Sequence, residues 1–553
     1  MSNNTNNIYT KEELFAELEA RHIDNHIKSL KDLPSPYTLK DLEKGSKRIA
    51  QAITNKEKIC VVGDYDVDGI VSSAIMKDFF DNLDYPIDTI IPNRFRHGYG
   101  LSPKIIEEIK ERFDSDLIIT VDNGISSIEA GDLCQKFGMT LIITGHHTVP
   151  ETLPIAHSII NPKQSDCEFE FKDICGAQVA WYLCAGIKKE LNSNIDMSSF
   201  LDLLCIAIVA DIMPMVGLNH TMVKSGFRAL INSKRESIIA LLNSLNSPQE
   251  ICSSDIGFMI APKLNSAGRL SDASISLDFL LSITQKDAIE GLYQLEVLNN
   301  QRKELQNSIF LEAVEMVEEM QLQDDDIIVV ASAGWHEGVI GIVASKLVER
   351  FEKPAYVLSI NTENGYAKGS ARSLNEINLY DLLQKCQNQE NNILVGFGGH
   401  KLAAGLKLNS NRLDDFRILI NEIYQNRTIE EDISTDKEIE NRDIKDIYLH
   451  DIGFELFDIV QNFEPYGLSN TKPLFRLSNI NVKKVKYVGK DSAHLIFDIY
   501  DKSDMSYNIK AVHFNTRYEL YDNQTIDMVF EMNKSTFRGK CSIELFVKEI
   551  VFL

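Results

Sequence analysis

The sequence lacks a run of apolar residues long enough to cross a bilayer. Its longest, such as the eight-residue stretch 203–210, fall far short of the ~20 residues that a spanning helix needs. It also lacks any CxxC pair among its nine cysteines. An odd number of thiols, mostly inside apolar segments, reads as reduced cysteine and not as a disulfide framework. The opening stretch, MSNNTNNIYT, lacks the basic and apolar regions of a signal peptide. Together these absences predict a cytoplasmic protein. Positive charge is scarce too: 57 Lys and Arg stand against 81 Asp and Glu, a net charge of −24. Alone, that balance argues against a phosphate-rich partner. The deficit is uneven, however. From Lys472 to Leu553, 13 basic residues face 10 acidic ones, a net of +3, whereas Glu430 to Asp446 (EEDISTDKEIENRDIKD) concentrates acid. A nucleic-acid partner therefore requires a local basic cleft, which composition permits.

What is present is a chain of 553 residues, too long for one hydrophobic core, so about three domains are expected. Its 44% apolar and 25% charged residues are those of an ordinary globular protein. After a helical segment at 1–56 that ends in a helix over Leu42–Asn55, apolar strands alternate with amphipathic segments. Strands are predicted at 58–63, 87–91, 117–121, 141–144 and 157–160, with helices at 102–113 and 126–137 between them. That alternation predicts an α/β domain with a parallel, doubly wound sheet over 57–275. A helical stretch is expected over Gln178–Ala210. Residues 276–325 have few breakers and read as a long connecting helix between two α/β lobes. A second α/β unit spans 326–430, and an acidic linker and helical segment spans 431–462. From 463 to 553 five or six short strands predict a small closed barrel of the OB type.

The stretch VVGDYDVDGI (61–70) poses a chemical question. Asp64, Asp66 and Asp68 sit at every second position just past a buried strand. Like charges so close repel and raise one another's pKa, so a positive group must compensate. In extended chain, residues i and i+2 share a face, which would let the carboxylates converge before a helix that starts near Val71. The carboxyl edge of a parallel sheet is where open α/β folds bind ligands. Three further groups fall just after apolar elements: Asp122 in LIITVDNG, His146 and His147 in LIITGHHTVP, and Asp211 in LLCIAIVADIMPM. Hard oxygens with one or two imidazoles suit Mn²⁺ or Mg²⁺ better than Zn²⁺. Two such ions would neutralise the carboxylates and provide the usual device for phosphodiester hydrolysis.

Plainer explanations exist for each residue taken singly. A lone Asp after a strand is more often a helix cap. DxDxDG resembles a calcium loop, but the twelfth position, where such a loop needs a bidentate Glu, holds Ile75. A His-His pair alone is more often surface or packing. Four such sites on one expected edge shift the balance towards a metal centre.

Taken together, GDYDVDG, TVDNG, TGHHTVPETLP and VADIMPM resemble the four motifs of the DHH phosphoesterase superfamily. GWHEGVIGIVASKLVERFEKPA (334–355), GSARS (369–373) and GFGGHKLAAG (396–405) resemble the DHHA1 domain that follows it. NSAGRLSDAS (265–274) and FEPYGLSNTKPLF (463–475) are similar to stretches of a single-strand-specific exonuclease branch. The resemblance runs from about residue 40 to the end. It implies two Mn²⁺ or Mg²⁺ ions held by Asp64, Asp66, Asp68, Asp122, His146 and Asp211. Asp68, Asp122 and His147 would be catalytic, with His147 assisting the leaving group or gripping the scissile phosphate. One position departs from the pattern. Gly145 stands where the superfamily has the first Asp of Asp-His-His, and losing an outer-shell carboxylate can cost ~10–100-fold in affinity or activity.

Substrate-binding candidates come from both lobes. The glycines up to Gly399, before His400, would let a backbone approach phosphate closely. Ser370 and Arg372 are two apart and can share one phosphate, where Arg grips in bidentate fashion. Arg94 and Arg269 are further cations. By resemblance, Arg94, Arg269, Ser370, Arg372, Gly399 and His400 would hold the 5′ end and backbone of a strand. The tail adds Lys483, Lys484, Lys486 and Lys490, with Tyr487, Phe497 and Tyr500 nearby, as a single-strand-binding surface. The implied activity is 5′–3′ exonucleolytic degradation of single-stranded DNA to mononucleotides in repair and recombination. A monomer that cooperates with a single-strand-binding protein and a helicase is expected. The alternatives are a nanoRNase or cyclic-dinucleotide phosphodiesterase, or, because of Gly145, a DNA-binding scaffold with impaired catalysis.

Overall fold

The computed structural model describes every residue except 1–7, 24, 99, 246–250, 375–376, 391–392, 428–443, 490–491, 517, 538–539 and 553. The acidic stretch expected as a linker, and Lys490, lie largely or wholly outside the described residues. The chain divides into two compact units. The first comprises 1–262, 277–289 and 440–553, and the second 263–276 and 290–439.

The first unit begins with helices α1 (Lys11–Ala20) and α2 (Leu42–Asn55). Five strands then form a wholly parallel sheet: β1 (Ile59–Val62), β2 (Asp88–Ile90), β3 (Leu117–Thr120), β4 (Thr140–Thr144) and β5 (Ser158–Ile160), in the order β2-β1-β3-β4-β5. β1 and β3 are buried along their whole length, as strands covered on both faces must be. The connecting helices are α3 (Val67–Asp81), α4 (Pro103–Arg112) and α5 (Ile128–Phe137). α5 ends at Gly138, which takes the left-handed conformation (φ 72°) typical of a helix stop. α6 (Gly176–Glu190), α7 (Leu201–Ala210) and α8 (Gly217–Ile231) follow. Because β1 lies between β2 and β3, the chain reverses its direction of winding at the β1/β3 junction, the usual place for a ligand.

Three expectations about helices need correction. α3 begins at Val67, not near Val71, because the Asp66 side chain caps it by accepting the Gly69 N–H at 3.1 Å. The expected stretch over Gln178–Ala210 is two helices. α6 stops at Glu190, and Asp196 caps a fresh 3₁₀ turn that leads into α7. The long connecting helix starts at Gln285, not 276, and runs to Glu319. Thr284 interrupts the pattern by exchanging hydrogen bonds with Asp287.

In the second unit, β6 (Ile328–Ala333), β7 (Ala355–Asn361), β8 (Tyr366–Arg372), β9 (Leu394–Gly399) and β10 (Ala403–Asn409) form a mixed sheet ordered β6-β7-β8-β10-β9. The helix Ile340–Phe351 crosses between β6 and β7.

The last strands belong to the first unit. β11 (Ile444–Asp446) pairs with the start of β12 (Leu474–Val488). β13 (His494–Asp501), β14 (Asp504–His513), β15 (Thr525–Phe537) and β16 (Lys540–Phe552) complete the sheet. Pairing of β12 with β15 closes five of these strands into the expected barrel. Its apolar core takes in Leu14 and Leu18 of α1. Phe497 and Tyr500, counted above among stacking candidates, are buried in the barrel and cannot stack on a base there. No described helix is long and apolar enough to cross a membrane.

Candidate metal centre

The carboxyl edge of the first sheet collects all seven expected metal-binding and catalytic residues. Asp64 follows β1 and is 1% exposed. Asp66 caps α3, and Asp68 sits in its first turn. Asp122 follows β3 in a left-handed conformation (φ 61°), unusual for a residue with a side chain. His146 and His147 follow β4, and Asp211 ends α7. The expectation that extended chain aligns the first three carboxylates is corrected: the turn into α3 places Asp64 and Asp66 in one donor group and Asp68 in another.

Their donor atoms form three overlapping groups, each within 4.8 Å: Asp64, Asp66 and Asp122; Asp122, His146 and His147; and Asp68, His146 and Asp211. Asp122 and His146 each belong to two groups. His146 Nε2 lies 3.4 Å from Asp122 Oδ1, 3.4 Å from Asp211 Oδ2 and 3.7 Å from Asp68 Oδ2. His147 Nε2 lies 3.4 Å from Asp122 Oδ1 and 2.9 Å from the Asp122 carbonyl oxygen.

The surroundings fix these groups tightly. Asp68 accepts the N–H groups of Gly176 (2.6 Å) and Ala177 (2.8 Å), the first of α6, so a helix N-terminus faces its charge. Asn123 Nδ2 donates to the carbonyls of Val62, Gly63 and Val121, pinning the loop after β3 to that after β1. Asn161 Nδ2 donates to the His147 carbonyl at 2.9 Å. Gly176 is a steric requirement: a Cβ there would lie 2.4 Å from Asp122 Oδ1. Neither Gly176 nor Asn161 was singled out from the sequence, since each supports the site through backbone geometry and carries no chemistry of its own. Gly145 donates its N–H to the Ile160 carbonyl, and a Cβ there would meet nothing nearer than 3.4 Å.

Electrostatically the centre is short of positive charge. Burial, Asp66 and Asp122 push the Asp64 carboxyl well above the ordinary range. Burial, Asp122 and Asp211 do the same to Asp68. Asp66 is raised by burial and Asp122, and Asp211 is pushed up to about 8 by burial, Asp122 and Asp66. Burial also works against the charge on Asp122, but the two imidazoles prevail and hold it at about 2. His147 is raised to about 9, burial opposing and Asp122 prevailing. Asp122 Oδ1 and Asp211 Oδ2 are buried and make no well-directed hydrogen bond. Orphaned anionic oxygens beside crowded carboxylates fit divalent cations, which would supply the missing charge.

Arg94 stands beside this centre, its guanidinium 4.2 Å from the Tyr65 ring centroid. The other substrate candidates lie in the second unit. The Arg269 guanidinium donates to the Gly338 carbonyl at 3.2 Å. Arg372 donates to Ser370 Oγ at 3.1 Å, and both side chains pack against Gly341 in the first turn of Ile340–Phe351. Arg372 pairs across the sheet with Ala403, whose carbonyl accepts the His400 N–H at 2.8 Å. Gly399 has φ 141°, and a Cβ there would lie 2.4 Å from the Ala403 oxygen, so the turn demands glycine.

Comparison with known proteins agrees with this geometry. The DHH family, N-terminal domain, matches residues 58–208; the DHHA1 domain matches 324–426; and the RecJ OB domain matches 445–549. The single-stranded-DNA-specific exonuclease RecJ of Haemophilus influenzae is 30% identical over 555 residues, 96% of this chain and 94% of that one. The chain belongs to the RecJ family. The RecJ of Bacillus subtilis is 34% identical over 542 residues, 97% of this chain but 66% of that longer protein. Among solved structures, RecJ from Thermus thermophilus in complex with Mn²⁺ matches with a TM-score of 0.76 at 23% identity, covering 98% of this chain and 76% of that one. A manganese-bound exonuclease RecJ matches with a TM-score of 0.62 at 27% identity, covering 72% and 96%.

Proposed function

We infer that this chain is a metal-dependent exonuclease that degrades single-stranded DNA from the 5′ end to mononucleotides, in repair and recombination. The observation that carries this reading is the sharing of Asp122 and His146 among three donor groups at the β1/β3 switch point. Such sharing suits two ions, Mn²⁺ or Mg²⁺. Asp64, Asp66 and Asp122 would hold one, and Asp68, His146 and Asp211 the other, with Asp122 between them. Held there, two such ions would supply an acidified water and compensation for charge on the phosphate oxygens. The protein's own groups do the rest. Asp122 keeps the His147 imidazole protonated, Asn161 fixes its backbone, and its Nε2–H is placed to donate to the scissile phosphate or the leaving oxygen. Arg94, braced on Tyr65, steadies the strand beside the metals. Arg269, Ser370, Arg372, Gly399 and His400 form the phosphate-gripping surface of the second unit, and the barrel binds the longer strand. The enzyme acts in the cytoplasm as a monomer, on strands exposed by a helicase and held by a single-strand-binding protein.

The presence of the barrel disfavours a phosphodiesterase confined to cyclic dinucleotides, and the complete donor set disfavours an inactive scaffold. The deciding experiment digests a 5′-labelled single strand, a 3′-labelled one and a blunt duplex with Mn²⁺. Early release of labelled mononucleotide from the 5′-labelled strand alone is expected. Release from the 3′ label first, or equal attack on duplex, would overturn the reading.

A further inference from the structure

A cationic cavity lies in the first unit, and none of its residues belongs to the metal centre. It encloses 280 Å³ between the chain after α1 (His22, Lys28), one face of α8 (His220, Lys224, Arg228) and the end of the helix Phe454–Asn462 (Asn462, Phe463). Three cations line it, and no carboxylate does among the described residues. None of the three forms an ion pair with a described carboxylate. Among the described residues, Lys28 Nζ donates to the His22 carbonyl at 3.0 Å and Lys224 Nζ to that of Asn462 at 3.4 Å. In a chain of net charge −24, three cations gathered around one cavity with no described carboxylate to answer them call for an anion.

The imidazoles sharpen the case. His22 and His220 lie with ring centroids 4.3 Å apart and planes tilted by 37°, and His22 stacks on Phe463. His220 is 7% exposed, and its Nε2 makes no hydrogen bond; neither does that of His22. Buried polar nitrogens are rarely left without partners. Burial, and after it His22 and Lys224, pull His220 down to about 4. Lys224 is itself lowered, by burial and then by Arg228.

We propose that this cavity binds the phosphoryl group of a nucleotide, with Lys28, Lys224 and Arg228 meeting its oxygens beside the two imidazoles. A guanidinium and two ammonium groups match a phosphate, the cavity has room for an attached sugar, and Phe463 offers a ring face beside it. The phosphoryl group comes either from the backbone of a bound strand or from a free mononucleotide. The site and the nuclease reading fail separately, because binding here requires no metal.

The test uses the full chain in EDTA. Inorganic phosphate, set against chloride at equal ionic strength, is expected to raise the unfolding temperature of the natural protein. The rise should vanish in K224Q/R228Q and shrink in K28Q. These three side chains are exposed, so the variants should unfold like the natural protein in chloride. Binding of dTMP and of a dT oligonucleotide then identifies the source. A loss of at least about tenfold, or ~1.4 kcal/mol, for the oligonucleotide in K224Q/R228Q marks the strand, whereas the same loss confined to dTMP marks the free nucleotide. The proposal is overturned if phosphate does no more than chloride, if the substitutions leave its effect intact, or if neither nucleotide probe senses them.

Discussion

At the residue scale the metal centre is a competition between protons and cations. Asp64, Asp68 and Asp211 have carboxyls raised above their unfolded values. A group raised on folding stabilises the fold fully below its unfolded pKa and loses that contribution as pH climbs through its folded one. Without metal, the protein should therefore lose stability as pH rises from about 4 towards the value of about 8 for Asp211. Metal needs those same oxygens bare and must displace the proton from any raised group it uses, so its affinity should rise over the same window. The rise in unfolding temperature on adding Mn²⁺ should thus be small at acid pH and large near pH 8, as calorimetry at several pH values can measure. A shift independent of pH would mean the metal binds elsewhere. Asp122, held at about 2, stays charged throughout and contributes no slope. All of these side chains were legible in the sequence because each falls just after an apolar run. Gly176 was not, since its role is only to be small. Gly176→Ala pushes a methyl against Asp122 and should cost ~1–3 kcal/mol of stability, while Gly145→Ala, whose Cβ would make only ordinary contacts at 3.4 Å and beyond, should cost far less; urea unfolding compares them.

At the element scale one residue serves two masters. Asp66 caps α3 through the Gly69 N–H and also offers oxygen to the cluster of Asp64 and Asp122. Asn caps as well as Asp but brings no charge. Asp66→Asn should therefore leave the metal-free unfolding temperature unchanged or raised, since one repulsion is removed, yet cost at least about tenfold in Mn²⁺ affinity. Unchanged Mn²⁺ affinity in Asp66→Asn would make Asp66 a cap alone. This double duty explains why alternation misled the reading of 64–68: three alternating carboxylates look extended, but a cap turns the chain after the second. The strands of the first sheet were legible from their apolar runs, and so was the barrel. The helix breaks at 191–196 and 281–284 were not, because they rest on side-chain hydrogen bonds of Asp196 and Thr284 that apolar periodicity does not report.

At the scale of the whole molecule the barrel looks separable in sequence but is not separate in structure. α1, far upstream of β11 in the chain, packs Leu14 and Leu18 into the barrel core, and both are at most 1% exposed. The Tyr9 N–H donates to the Asp446 carbonyl at 2.8 Å, and the Met215 N–H, next to the end of α7, donates to the Leu468 carbonyl at 2.6 Å. Cutting the chain near residue 440 would bare those leucines, at roughly 1.5–3 kcal/mol each, and orphan both amides. A shortened protein should therefore unfold at a lower temperature or aggregate, so its loss of activity would not reveal what the barrel binds. Surface substitutions ask that question without breaking the fold. Lys484 is engaged with Asp498, and Lys483 lies over the Tyr500 ring, which leaves Lys486 as the most available cation on β12. Lys486→Gln should keep the natural unfolding temperature and weaken a long single strand in a salt-dependent way, lowering the slope of log affinity against log salt by about 0.7 if one phosphate contact is lost. An unchanged slope would move the strand off this face of the barrel.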